Sequence, residues 1–153
     1  MADYDMTITG FKEIEAQLLS IANGEKADEI QREGLRAAGD VIKPALVTAT
    51  PERTDEVYGK SLPAGALKEA VRASAKLGKD GAPGIETVHF GKLSYIAHIV
   101  DIGHVNPTAK KGLKHTPAYP FIREVEDATR QEATEAYIEA VQAGINKILA
   151  EGK

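Results

Sequence analysis

The chain has 153 residues, a formal net charge of -4 and a pI near 5.6, which fits one domain with a real core and gives no basic excess for nucleic acid or membrane surfaces. It has no cysteine, no tryptophan and only 5% aromatic residues. That excludes a disulfide scaffold and a thiol nucleophile, fits a reducing cytoplasm, and leaves the core largely to Ala, Val, Ile and Leu.

No run of about twenty apolar residues offers a membrane-spanning helix. The acidic opening MADYDMTITG lacks the apolar stretch of a secretory leader, so none is expected. Phe11, Ile14, Leu18 and Ile21 then recur at helical spacing, with Thr9 placed to cap the start and Gly24 to stop the helix. A second helix is predicted over Lys26 to Thr48. One stripe holds Ile30, Gly34, Ala37, Val41 and Ala45, and its neighbour Leu35, Ala38, Ile42, Leu46 and Ala49, a face broad enough to be covered on more than one side. Pro44 removes a donor inside the pattern and should bend the helix.

Residues 50–66 read as a polar loop with two prolines and two glycines. After a short helical turn from Leu67, Val71, Ala73, Ala75 and Leu77 alternate with Arg72, Ser74 and Lys76, the pattern of a strand with one wet face. With KDGAPG as turn and IETVHFG as a second strand, 70–78 and 85–91 form an expected antiparallel hairpin. YIAHIVDIGH, residues 95–104, reads as a short helix anchored by Ile96, Ile99 and Val100 and closed by Gly103 as a left-handed cap. A polar loop, 103–118, carries Lys110, Lys111 and Lys114. Pro120 opens the strongest helix of the chain, whose second half shows a seam of Ile138, Val141, Ile145 and Leu149. Thirty residues of helix would run about 45 Å, against roughly 40 Å for a compact domain of this size. The helix should therefore overhang its domain or pack on a neighbour.

Chemical motifs are sparse. Gly59, Lys60 and Ser61 end like a phosphate loop, but Thr54 stands where the first glycine is needed and no apolar strand precedes it. The glycines at 78, 81 and 84 lie between strands, where a hairpin tip fits better than a dinucleotide fingerprint. On a helix His98, Asp101 and His104 would share a face, which raises a metal-dependent hydrolase or a carboxylate acid/base centre. Zinc needs three or four converging ligands, and His89 and His115 are the only other histidines. The polar edge of a packing helix is the better reading, with Asp101 pairing with a basic group or capping a backbone N–H, and a subunit boundary is one place for that contact. The three lysines suit DNA or an acidic protein, although loop lysines are commonly just solvated.

The order of these pieces resembles the small head–tail joining family of long-tailed bacteriophages, which includes neck, tail-completion and tail-component proteins. The resemblance rests on ITGFKEIEAQLLSI, the Ala-rich second helix, TPERT, GALKEAV, YIAHIVDIGH and PAYPFIREVEDA, and it spans nearly the whole chain. Members carry a continuous Pro-x-Arg-Thr-Gly-x-Leu; here Pro51, Arg53 and Thr54 are parted from Gly65 and Leu67 by residues 55–64. Asp101, Ile102, Gly103 and His104 stand for Glu-Phe-Gly-Thr, and Pro120, Phe121 and Ile122 for Pro-Phe-Leu.

The resemblance implies a single α+β domain over 1–153, a small antiparallel hairpin-based sheet packed by helices with a long C-terminal helix. It implies a structural protein of the virion, not an enzyme, without metal or other cofactor. Copies would form a ring, hexameric or dodecameric, assembled in the host cytoplasm and touching connector or head-closure and tail-terminator or tail-tube proteins, with DNA passing through the bore unread. A tail-terminator or head-closure ring is the alternative within the same assembly. Candidate subunit or partner contacts are Arg53, Thr54, Asp101, His104, Lys110, Lys111, Lys114, Phe121, Tyr137 and Ile138.

Overall fold

The computed structural model describes residues 24–52, 56–57, 60–61, 63–78, 84–105 and 115–151. The helix expected from Thr9 lies outside them. Helix α1 covers Gly24–Ala49 and strands β1 and β2 cover Glu56–Val57 and Lys60–Ser61. Helix α2, Ala66–Glu69, precedes β3, Arg72–Lys76, and β4, Ile85–His89. A 3-10 turn, Gly91–Leu93, leads into α3, Ser94–Ile102; β5, His104–Val105, and β6, His115–Thr116, precede α4, Phe121–Glu151. The class is α+β, as expected. No helix among the described residues is long and apolar enough to cross a membrane.

β3 and β4 pair as the hairpin reading requires. Residues 77–84 are too few for the crossover that a parallel pair needs. The described parts of the two long polar segments each hold a minimal antiparallel pair that a loop reading does not foresee: Glu56 opposite Ser61 and Val57 opposite Lys60, then His104 opposite Thr116 and Val105 opposite His115.

The chain divides into two compact units. The first takes α1 as far as Ile42, residues 73–88 and α4 from Thr129. Its core is a close antiparallel packing of α1 on α4, set by glycines. A Cβ at Gly34 would lie 2.8 Å from the Tyr137 ring and from Val141 Cγ2, and one at Gly144 would lie 2.8 Å from Ile30 Cγ1. Each large side chain thus fills the place a side chain would take on the facing helix, and Tyr137 and Val141 are wholly enclosed. β4 runs along α1 in the same way, with Gly84 against Gln31 and Leu35 and Glu86 against Gly39.

The second unit takes residues 43–72 and 89–128. Leu46, Leu67, Val71, Phe90, Ala97, Ile99, Val100, Phe121 and Val125 are buried there. Phe90 meets Phe121 edge to face at 5.9 Å between ring centres, an arrangement the ring quadrupoles favour. α1 continues through Pro44. It ends at Thr50, whose N–H and hydroxyl both donate to the Leu46 carbonyl, at 2.9 and 2.6 Å. Pro51 follows and disfavours a further helical residue.

Three sequence expectations shift. On α1 the buried line is Ala27, Ile30, Leu35, Ala38, Ile42 and Leu46. Ala37, Val41, Ala45 and Ala49 of the two stripes are only half-buried, because one face suffices when the partner backbone comes this close. On α4 the enclosed residues are Phe121, Val125, Thr129, Ala133, Tyr137 and Val141, whereas Ile138 and Ile145 are half-buried. On β3 the alternation fails: Ala73 is exposed and Ala75 half-buried.

Candidate functional site

The stretch 95–104 is built as a helix and a break. α3 buries Ala97, Ile99, Val100 and Asp101. The Ser94 hydroxyl donates to the Gly91 carbonyl at 2.9 Å at its start. At its end the Gly103 N–H donates to the Ile99 carbonyl at 2.9 Å. Gly103 has φ 78° and ψ 164°, a conformation open essentially to glycine alone. It differs from the left-handed cap expected here, in that the extended ψ sends the chain straight into β5. The helical spacing of His98, Asp101 and His104 is therefore cut, since His104 already belongs to β5.

Asp101 is 6% exposed. Its Oδ1 accepts the backbone N–H of Ile122 at 2.9 Å, in the first turn of α4, where helix N–H groups lack intrahelical acceptors and a negative group is favoured. One residue earlier, the Val100 carbonyl accepts the Tyr119 N–H at 3.0 Å. These two bonds grip the chain on either side of Pro120 and fix where α4 begins. Asp101 thus caps a backbone N–H of its own chain.

The other candidate residues fall into three groups. Arg53, Thr54, Lys110, Lys111 and Lys114 lie outside the described residues, and for His104 only the backbone is described. Phe121 and Tyr137 are enclosed in the cores of the second and first units. Ile138 is half-buried.

Among the described residues, the large apolar side chains more than half exposed are ones the sequence reading did not single out as contacts. Tyr95 and Val105 are each 59% exposed, Ile102 54% and Tyr119 51%. All four belong to the second unit. Tyr95 and Ile102 are two turns apart on α3 and share its outer face. Val105 lies in β5, three residues beyond Ile102 and across the Gly103 break, and Tyr119 is tied to the C-terminal end of α3 through Val100. The seven-residue spacing of Tyr95 and Ile102 was the available signal, masked by the weight given to Ile96, Ile99 and Val100.

A second feature went unseen. Glu86 is 5% exposed on β4, and its Oε2 has no hydrogen-bond partner among the described residues. Burial pushes its carboxyl up to about 7, the charge of Asp40 pushes the same way, and Arg36 draws it back in part.

The chain matches no protein-family model, no curated protein and no solved structure.

Proposed function

We propose that this chain is a structural subunit of a bacteriophage neck, whose copies associate side by side into a ring that joins head and tail, with the tail-terminator or head-closure position as the alternative within the same assembly. The observation that carries the reading is the outward display of Tyr95 and Ile102 along α3, with Val105 and Tyr119 beside its C-terminal end. Single exposed apolar residues are ordinary; four on α3 and the segments adjoining its C-terminal end, two of them tyrosines, have the make-up of an interface core. A second copy is the occupant we assign, because a ring is built by one surface of a protomer meeting a different surface of the next. The order of motifs from ITGFKEIEAQLLSI to PAYPFIREVEDA supports the neck assignment. Asp101 supports a structural role for the 95–104 stretch, since its Oδ1 accepts the Ile122 N–H at the start of α4.

Negative-stain imaging of the purified protein, alone and mixed with isolated tails and with filled heads, tests this directly. Rings, or decoration of one end of a tail or of the head vertex, are expected. A protein that stays monomeric at high concentration and binds neither particle would overturn the assignment.

A further inference from the structure

We propose that Glu86 is a proton-operated latch between β4 and α1: the strand packs closed on the helix with this carboxyl neutral, and ionisation loosens that contact. The geometry leaves little alternative. A Cβ placed on Gly39 would lie 2.6 Å from Glu86 Oε1, so the carboxyl is pressed onto bare helix backbone where water does not fit. One oxygen has no donor among the described residues, and an ionised carboxylate in such a place forfeits its hydration without compensation. The charged groups acting on it from α1 are Asp40, which repels the ionised form, and Arg36, which favours it. The paired strand β3 carries Arg72 and Lys76, both exposed. On β4 itself the other titratable residue is His89, at an odd position and therefore on the opposite side of the pleat.

The sign follows from proton linkage. The folded carboxyl is pushed up to about 7 from its ordinary value of 4.5, so between these values the native state holds more protons than the unfolded one. Stability is then undiminished below the lower value, falls as pH rises through the window, and stays reduced above the upper one.

Thermal unfolding of the whole protein from pH 5 to 8.5 reads this out as the difference between wild type and Glu86→Gln, which cancels the titration of every other group. The neutral amide should lie above wild type at pH 8, by several degrees in Tm, and the gap should close toward pH 5. Two exposed substitutions guard against a misfolded variant. Asp40→Asn should move the wild-type inflection to lower pH, and Arg36→Gln should move it higher. Parallel curves for wild type and Glu86→Gln, a Gln variant less stable than wild type at pH 8, or an inflection indifferent to both Asp40→Asn and Arg36→Gln would each overturn the latch. None of these outcomes depends on whether the protein forms rings.

Discussion

Two buried acids in this chain are handled in opposite ways. Asp101 is provided with a donor, the Ile122 N–H, and it satisfies a helix terminus that would otherwise be buried unmet. Glu86 meets a glycine and the charge of Asp40, and one of its oxygens has no partner among the described residues. Removing the first should therefore destabilise, and neutralising the second should stabilise. For Asp101→Ala we expect a loss of about 0.5–2 kcal/mol, the usual range for a lost cap, read as a lower urea midpoint with an unchanged slope. Asp101→Asn keeps an acceptor oxygen and should lose clearly less. The capping role was legible from sequence because Asp101 falls at the end of a short apolar helix. The burial of Glu86 was not. It stands between Ile85 and Thr87 in a strand whose pleat phase depends on which face meets α1, and the residue that decides the phase, Gly39, lies on a different element.

At the scale of elements, periodicity located α1, the β3–β4 pair, α3 and the start of α4 within a few residues, because each has a repeat set by its own backbone. What periodicity misjudged is which residues the elements enclose. The α4 seam was sought among large aliphatic residues, whereas Thr129 and Ala133 are buried and Ile138 and Ile145 are only half covered. Close approach of the helices explains this: with Gly34 facing Tyr137 and Val141, and Gly144 facing Ile30, small residues suffice to fill the seam. Gly34→Ala consequently works against its own helix propensity. Alanine gains about 1 kcal/mol in a helix interior, but a Cβ at 2.8 Å from the Tyr137 ring and Val141 forces both aside, an overpacking cost of about 1–3 kcal/mol. A net loss is expected in thermal or denaturant unfolding. Pairing it with Val141→Ala should lose less than the sum of the two single changes, since the new methyl takes part of the room the valine leaves.

For the molecule as a whole, the question is where the apolar surface of the second unit goes. Tyr95 and Ile102 are more than half exposed, and changes at such positions usually stay within about 0.5 kcal/mol of wild type. A buried place against a second copy would make the same residues decisive for association, since interface energy concentrates in a few central, often aromatic, side chains. Tyr95→Glu and Ile102→Glu separate these two roles. Each should leave the unfolding midpoint nearly unchanged while weakening self-association by at least about tenfold, or roughly 1.4 kcal/mol, in a sedimentation-velocity concentration series. A glutamate at Ala143, an exposed position of α4 away from this group in sequence, serves as the control for added charge and should associate like wild type. Equal association by all four proteins would remove the α3 face from the contact. A fall in stability matching the fall in association would mean that the two tyrosine and isoleucine side chains serve the fold itself.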